Sequence, residues 1–245
     1  MNKKAFVIHL ARATGRASNV RDLIRDCPVD TEIVAAVDGA LLSASAKDAV
    51  YRRDRFFPRY PFPLRSTEIG CFLSHRRCWH QIVTQRLAYG MVFEDDARLD
   101  RAKAEAAIAL AERHIGRAGF IQLPVRDAPE AAKLVAELDG IRLLKPAVIP
   151  LRLSGQLVSN WAAHRLLELT HVFDRPIDSF LQMHWITDIE PLLVVPSGIE
   201  DASSATGGST ISRHKPILDR LNREIRRFAY RRTIGQLSRR HYADV

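Results

Sequence analysis

Short apolar runs alternate with segments of helical periodicity along most of the chain. Residues 5–10 and 32–37 are apolar and strand-like, and between them residues 15–26 carry Val20, Leu23 and Ile24 at helical spacing. Alternation of this kind is typical of an α/β protein in which a mostly parallel sheet is covered by helices. Because the chain has 245 residues, we expect one domain with at most a small appendage.

The same periodicity predicts the remaining elements. A helix is predicted from Ser66, which offers a hydroxyl as N-cap, to about residue 86. Further strands are predicted at 91–93, 120–123, 153–158 and 192–195, and further helices at 102–114, 129–138 and 161–172. Residues 51–65, rich in Arg, Phe and Pro, are predicted to form a loop. We place an α/β domain at residues 1–212 and a basic helical extension at residues 213–245.

Charge and cysteine content bear on the partners and the compartment. The formal net charge of +9 favours an anionic partner. The arginine-rich segment 215–241 is helical in pattern and is a candidate for peripheral contact with an anionic membrane, whereas no nucleic-acid-binding signature is present. Cys27, Cys71 and Cys78 form neither a disulfide pattern nor a zinc motif. We therefore expect a cytoplasmic protein, with peripheral contact at the inner face of the inner membrane as an open possibility.

Three consecutive carboxylates, Glu94, Asp95 and Asp96, follow directly on the predicted strand 91–93. Adjacent like charges raise one another's proton affinity unless a cation lies among them, and carboxylate oxygens suit Mn²⁺ or Mg²⁺. Because alternate side chains of an extended chain point to the same side, Glu94 and Asp96 are the predicted metal ligands, with Asp95 as their support. A solvated turn is the alternative that composition alone leaves open.

Other polar residues are predicted to lie near this cluster. Asp38 and Gly39 end a predicted strand, and ligands of open α/β sheets bind at the carboxyl ends of strands, so one crevice is expected to contain both sites. Asp-Gly is also an ordinary turn. Glu68 and His75 share a face of the predicted helix, with Ser74 nearby. That face serves either ligand contact or buried hydrogen bonding, and both alternatives stay open.

Several of these segments together resemble glycosyltransferase family 25, the lipopolysaccharide and lipooligosaccharide glycosyltransferases whose relatives include collagen galactosyltransferases. The resemblance is carried by residues 6–10 (FVIHL) followed by Arg16, 36–39 (AVDG), 68–75 (EIGCFLSH) with Trp79, 92–96 (VFEDD) and 176–178 (PID). Order and spacing agree over about residues 5 to 180. The segment 68–75 followed by the acidic cluster is its most specific part.

The resemblance implies a GT-A type, Rossmann-like fold with helices on both faces of the sheet. It also implies an inverting, single-displacement transfer of a hexose, typically galactose or glucose, from a UDP-sugar donor. We therefore expect a bacterial glycosyltransferase whose acceptor is a hydroxyl of a lipooligosaccharide, a lipopolysaccharide or another surface glycan or glycolipid. The acidic cluster is similar to the family's DxD motif, which contacts the donor ribose and the metal.

The resemblance and the residue patterns together give a set of candidate site residues. The predicted donor-binding residues are His9, Arg16, Asp38, Gly39, Glu68, Ser74, Glu94, Asp95 and Ser209, the last in a segment that is similar to a family element. A general base must take the proton of the acceptor hydroxyl, and the candidates are Asp178, Asp188 and His75. Asp178 is favoured because 176–178 fits the family pattern, although an aspartate at such a position can also cap a helix.

Two other functions are carried as alternatives. A metal-dependent phosphohydrolase would use the same carboxylates to activate water, but such enzymes usually need a larger cluster of His and Asp ligands than the sequence groups together. A non-catalytic protein that binds nucleotide sugars or glycans would keep the crevice and lose the chemistry.

Overall fold

An eight-stranded sheet is the centre of the computed structural model, which describes residues 2–126, 132–202 and 217–243. Its described strands are β1 (Lys3–His9), β2 (Thr31–Ala35), β3 (Tyr89–Glu94), β5 (Phe120–Gln122), β6 (Ala132–Leu138), β7 (Ile141–Pro146), β8 (Gly155–Ser159) and β9 (Leu192–Val195). The strand order is β2-β1-β3-β8-β5-β9-β7-β6. The short strands β4 (Ala97–Leu99) and β10 (Ile199–Asp201) form a separate antiparallel pair.

Most strands of the large sheet run in one direction. β1 is parallel to β2 and to β3, and β5 is parallel to β9. β8 is antiparallel to both β3 and β5, and β7 is antiparallel to both β9 and β6. Among these eight described strands, β8 and β7 therefore oppose the other six, and the predicted mostly parallel sheet is confirmed.

Helices cover both faces of the sheet, as predicted. The described helices are α1 (Ala17–Asp26), α2 (Ala44–Val50), α3 (Ser66–Thr84), α4 (Arg101–Glu112), α5 (Ile115–Ala118), α6 (Asn160–Leu169), α7 (Ile177–Leu181), α8 (His184–Thr187) and α9 (Ile217–Ala243). Alternate residues of β1 enter different cores: Ala5 and Val7 join the core of α1 and α4, whereas Phe6 and Ile8 join that of α3 and α6. This alternation follows from the two-residue period of a strand.

One predicted helix is wrong. Residues 132–138 form strand β6, not the end of a helix, because they pair with β7 across a two-residue connection, Asp139 and Gly140. Both connecting residues have positive φ, 50° and 77°, the backbone that a tight hairpin turn requires. A smaller correction concerns α3, which is capped by Arg65, so that Ser66 is its first helical residue and not its N-cap.

The basic C-terminal segment is helical as predicted, and α9 packs against the α/β body. Ile234 and Ser238 are almost completely buried, and Ser238 hydrogen-bonds to His184 of α8. The hydroxyl of Tyr230 accepts a hydrogen bond from the buried Arg175. Among the described residues, no helix combines the length and the hydropathy that a membrane span needs.

Candidate functional site

A cleft of about 350 Å³ opens at the carboxyl ends of three parallel strands. We call it the strand-end cleft. Its walls are the ends of β1 and β3, the turn that follows β2, and the first turns of α3. It brings together eight of the predicted site residues. Seven of them line it: Arg16, Asp38, Gly39, Ser74, His75, Glu94 and Asp95. The eighth, His9, is hydrogen-bonded to Asp95.

Two glycines set the distance between the turn after β2 and α3. A Cβ atom on Gly70 would lie 2.5 Å from the carbonyl oxygen of Val37 and 2.7 Å from the amide nitrogen of Gly39. A Cβ atom on Gly39 would overlap the carbonyl oxygen of Ser66. Since only glycine tolerates such an approach, Gly39 has a packing role that places Asp38 beside the helix. Asp38 caps the short helix that begins at Gly39 and forms an ion pair with Arg12.

Asp95 is the fixed member of the acidic cluster. It is 7% exposed, its carboxylate contacts His9 Nδ1 at 2.9 Å, and it forms an ion pair with Arg16. The amide of Asn19 donates to the backbone oxygens of Asp95 and Ala97 at 2.9 Å and 2.8 Å. Two side chains thus hold the Asp95 carboxylate, and Asn19 holds the backbone around it.

Asp96 is electrostatically different from its neighbour. Burial first, and then the charge of Glu94, raise the pKa of Asp96 from 3.8 to about 6. Arg16 Nη1 lies 3.5 Å from the Asp96 carboxylate and lowers its pKa, but by less than burial and Glu94 raise it. The charge of Asp201 contributes because β10 pairs with β4 and places Asp201 opposite Ala97. Such a carboxylate favours either a proton or a cation.

Glu94 is held by a buried histidine. Its Oε1 lies 3.2 Å from His75 Nε2, and His75 Nδ1 lies 2.9 Å from the amide nitrogen of the buried Gln156. An amide nitrogen can only donate, so Nδ1 accepts, the ring proton lies on Nε2, and Nε2 donates to Glu94. Both ring nitrogens are therefore engaged in a fully buried side chain. His75 orients Glu94 and has no free nitrogen for the proton of an acceptor hydroxyl.

Cys71, His75 and Glu94 are a second set of potential metal ligands. One ligand atom of each lies within 4.8 Å of the others. Sulfur and nitrogen suit softer ions than Mg²⁺, and the proton on His75 Nε2 occupies the position that a metal would need. The residues present fit a hard divalent ion better on the oxygens of Glu94 and Asp96, where a cation would relieve the repulsion that raises the pKa of Asp96.

Ser74 and Glu68 have structural partners. The hydroxyl of Ser74 donates to the Gly70 carbonyl and accepts from the Val37 amide at 2.8 Å, which ties α3 to the end of β2. The carboxylate of Glu68 accepts from the Arg65 amide at 2.7 Å and completes a capping box. Glu68 does not line the strand-end cleft and instead lines a second, larger one.

The second cleft, which we call the α9 cleft, has a volume of about 760 Å³. Its walls are the loop 60–62, Glu68, the loop 148–151, the start of α7 with Asp178, and one face of α9. Neighbouring residues of α3 line the two clefts, Thr67 the first and Glu68 the second. Cys71 lines the strand-end cleft: desolvation first, and then the charges of Glu94, Asp178, Asp96 and Glu68, raise the pKa of its thiol.

Asp178 is a half-buried carboxylate at the start of α7. Burial raises its pKa, and the charge of Glu94 contributes, while the amides of Ser179 and Arg152 donate to it at 2.7 Å and 3.4 Å. A raised pKa strengthens a carboxylate as a base. Asp188 is placed elsewhere: it ends α8 in a left-handed conformation, its side chain is 69% exposed, and it pairs with Arg165 at 2.8 Å.

Ser209, the remaining predicted donor-binding residue, lies outside the described residues. Three residues that the sequence did not single out contact predicted site residues or one another. Arg152 donates its amide to Asp178 and its guanidinium to Asp201, and Gln156 holds His75. No local motif marks Arg152, Gln156 or Asp201, because strand pairing brings them to the site from distant parts of the chain.

A family model and similar relatives of known sequence point to the same family. The model of "Glycosyltransferase family 25 (LPS biosynthesis protein)" matches residues 2–131. The inactive glycosyltransferase 25 family member 3 of Mus musculus is 28% identical over 223 residues, which are 79% of this chain and 37% of that protein. Procollagen galactosyltransferase 2 of Homo sapiens is 26% identical over 220 residues, 78% of this chain and 34% of that protein. The chain thus spans little more than a third of these relatives.

Solved structures with a similar arrangement of elements are more distant. Mannose-1-phosphate geranyltransferase from Thermus thermophilus has a TM-score of 0.42 at 10% identity and covers 79% of this chain and 74% of its own. TarS 1-349 from S. aureus has a TM-score of 0.46 at 9% identity and covers 84% of this chain and 62% of its own.

Proposed function

The chain belongs to glycosyltransferase family 25, and on that premise we propose that it is an inverting, metal-dependent glycosyltransferase. It moves a hexose, galactose or glucose, from a UDP-sugar to a hydroxyl of a lipooligosaccharide, a lipopolysaccharide or another surface glycan. One observation carries the proposal: Glu94 lines the strand-end cleft, Asp178 lines the α9 cleft, and neighbouring residues of α3, Thr67 and Glu68, line the two clefts. The proposed donor site and the proposed base are near enough that, besides burial, the charge of Glu94 raises the pKa of Asp178.

The strand-end cleft supplies the donor site in this proposal. Glu94 and Asp96 would hold Mn²⁺ or Mg²⁺ together with the donor diphosphate, and the bound ion would stabilise the negative charge of the leaving group. Arg16 offers a further positive charge at the same place, 3.5 Å from Asp96. Asp38, held by Arg12 at the other end of the cleft, is placed to accept hydrogen bonds from the ribose or the base.

Asp178 is the general base in this proposal. Inverting transfer needs a base on the side of the sugar opposite the leaving diphosphate, and Asp178 lines the α9 cleft, whereas Glu94 lines the strand-end cleft. Its oxygens are already oriented by the amides of Ser179 and Arg152. His75 is less suited because it is fully buried, and Asp188 is less suited because its exposed carboxylate pairs with Arg165.

The decisive test is release of UDP. Purified protein is incubated with UDP-galactose or UDP-glucose, Mn²⁺ and deacylated core oligosaccharide, and UDP is quantified. Asp96→Asn is expected to lower the rate by a factor on the order of 100 or more, because one charge at the metal is lost. Asp22→Asn, an exposed aspartate of α1 paired with Arg25, is the matched control. The proposal fails if neither donor releases UDP and Asp96→Asn leaves UDP binding unaltered.

A non-catalytic nucleotide-sugar-binding protein is the second candidate, since several relatives are named inactive or probable inactive. Calorimetric titration with UDP, with and without Mn²⁺, separates the two: Mn²⁺-dependent binding without turnover of any donor would favour the binding protein. The phosphohydrolase alternative gains little support. Among the described residues, one set of three potential metal ligands is present: Cys71, His75 and Glu94. Both ring nitrogens of His75 already have hydrogen-bond partners.

We place the reaction at the cytoplasmic face of a membrane that carries the acceptor. Ile225 and Phe228 of α9 are 60% and 68% exposed, and exposed arginines lie beside them on the helix. An apolar and basic helix surface of this type favours peripheral contact with anionic lipid. Co-sedimentation with vesicles tests the contact: binding to phosphatidylglycerol vesicles, absent with phosphatidylcholine and weakened by Phe228→Ser, is expected.

A further inference from the structure

The two sides of the α9 cleft carry opposite charges. Glu68 and Asp178 line one side, and Arg227, Arg231 and Arg239 of α9 line the other. The cleft is about 760 Å³, roughly twice the 350 Å³ of the strand-end cleft. It is therefore large enough for one or more sugar rings beyond the residue that reacts.

The arginines of the cleft differ in how far they are already paired. Arg227 forms an ion pair with Glu224 at 2.6 Å and packs over the ring of Phe62. Among the side chains that the structure describes, neither Arg231 nor Arg239 has a carboxylate within 4.0 Å; Arg239 Nε donates to the Gly235 carbonyl at 3.1 Å. Two guanidinium groups thus face this cleft without a counter-charge from the described part of the chain.

The positions of these arginines place them along one face of α9. Arg231, Gly235 and Arg239 follow one another at four-residue spacing, and all three line the α9 cleft. A Cβ atom on Gly235 would lie 3.2 Å from Arg239 Nη2. The glycine therefore lets the Arg239 side chain lie along the helix towards Arg231.

Aromatic rings form the middle of the cleft. Tyr60 contacts Phe62 and Tyr230 edge-to-face, with ring centroids 5.9 Å and 5.3 Å apart. Burial, and then the charges of Glu68 and Asp178, raise the pKa of Tyr60, so its hydroxyl stays protonated and can donate. Aromatic faces beside hydroxyl and carboxylate groups are the surroundings that a sugar ring needs.

We propose that the α9 cleft is the acceptor site and that the acceptor carries a phosphate ester, which Arg231 and Arg239 bind while the reacting hydroxyl lies at Asp178. Two guanidinium groups without a carboxylate partner in the described part of the chain match the charge of a phosphate monoester and provide forked donors for its oxygens. In the transfer, the acceptor oxygen bonds to the anomeric carbon and its proton passes to Asp178. The bond from that carbon to the diphosphate breaks, and its electron pair leaves with UDP.

This inference rests on the proposed function, so its test uses a probe that does not require turnover. The strand-end cleft is first saturated with UDP and Mn²⁺, which is verified by calorimetry. Glucose 6-phosphate and glucose are then titrated separately and followed by amide chemical shifts in NMR spectra. Glucose 6-phosphate is expected to bind at least tenfold more tightly than glucose, with shifts at residues of α9 and the loop 60–62.

Four single variants locate the binding. Arg231→Gln and Arg239→Gln are each expected to remove most of the preference for glucose 6-phosphate. Arg232→Gln and Arg240→Gln, the next residues along the same helix and outside the cleft lining, are expected to keep it. Circular dichroism and thermal unfolding show whether each variant keeps its fold, since all four positions are exposed.

The possible failures are distinct. If UDP binds but glucose 6-phosphate and glucose bind equally, or if all four variants behave alike, the phosphate site is wrong while the proposed function stands. If UDP does not bind, the proposed function loses its donor site, and the variants still report whether the α9 cleft binds phosphate.

Discussion

The strand-end cleft and the α9 cleft differ in how far their charged side chains are paired with one another. In the first, most charged groups are bound to one another: Asp95 to His9 and Arg16, and Asp38 to Arg12. In the second, Arg231 and Arg239 have no carboxylate partner among the described side chains. The first cleft is thus held in shape by its own ion pairs, whereas the second depends on how α9 docks. Changes in one should leave ligand binding in the other intact.

The largest expected effect is on the rate of sugar transfer when Asp178, the proposed base, is changed, and the donor site should be unaffected. Asp178→Asn should lower the rate of sugar transfer by a factor on the order of 10² to 10⁴, because a general base contributes that much. UDP binding should change little, since Asp178 lines the other cleft. Transfer is measured by UDP release in the presence of acceptor, and binding is measured by calorimetry.

Asp188→Asn is the matched control for the base. Asp188 is exposed and paired with Arg165, so its variant should keep the wild-type rate within a factor of about two, as surface substitutions usually do. If Asp188→Asn were the inactive variant and Asp178→Asn the active one, the assignment of the base would be reversed.

The second prediction concerns a buried residue of α9 whose loss should disturb ligand binding at the α9 cleft but not at the strand-end cleft. Ile234 of α9 is 1% exposed and belongs to the core on the α3 face. Ile234→Ala should lower the free energy of unfolding by about 3 kcal/mol or loosen α9 locally, since it leaves a cavity. Binding of glucose 6-phosphate should then be lost while UDP binding persists.

The control for this packing prediction is Ile225→Ala on the same helix. Ile225 is 60% exposed, so the variant should change the free energy of unfolding by no more than about 0.5 kcal/mol. Denaturant unfolding and amide hydrogen exchange of α9 provide the measurements. If Ile234→Ala weakened the binding of UDP and of glucose 6-phosphate equally, the two clefts would not be independent.

The contrast between the clefts also explains what the sequence could predict. The acidic cluster directly follows a buried strand, and Asp38-Gly39 follows another, so the strand-end cleft is marked by local patterns that parallel strands bring to one edge. The α3 helix was predicted to within two residues at its C-terminus, because its apolar face repeats at helical spacing.

The remaining features depend on contacts between distant segments. β6 was predicted as part of a helix from local periodicity and helix propensity, whereas pairing with β7 across Asp139 and Gly140 determines the structure. The α9 cleft combines the loop 60–62, Asp178 and α9, and no single segment shows that they meet. Arg152, whose amide donates to Asp178, and Asp201, whose charge acts on Asp96, form an ion pair between residues 49 positions apart.

The third prediction concerns pH and Asp96. Its pKa is about 6 in the folded protein against 3.8 for the free group, so the folded state binds the proton more tightly. This stabilisation is complete below about pH 4 and is lost as the pH rises through about 6, which amounts to roughly 2–3 kcal/mol at most. Without metal, Asp96→Asn should therefore be more stable than the wild type at pH 7.5 and equal to it near pH 4.

Denaturant unfolding in EDTA at both pH values measures this difference. In the wild type, binding of Mn²⁺ should also weaken as the pH falls below about 6, because the proton competes for the same carboxylate. A stability difference between variant and wild type that is the same at pH 4 and pH 7.5 would contradict the raised pKa.

The smallest expected effect tests the close contact that places Asp38 at the strand-end cleft. Gly70→Ala would bring a Cβ atom within 2.5 Å of the Val37 carbonyl oxygen, so the backbone must shift, at a cost of about 1–3 kcal/mol. UDP should bind more weakly, while glucose 6-phosphate binding at the α9 cleft should not change. Gly116→Ala in α5 is the control, because nothing lies within 4 Å of its Cβ position and alanine should stabilise the helix by about 0.5–1 kcal/mol. If both variants were stabilised alike, the Gly70 contact would not fix the position of Asp38, and ion pairing with Arg12 alone would have to do so.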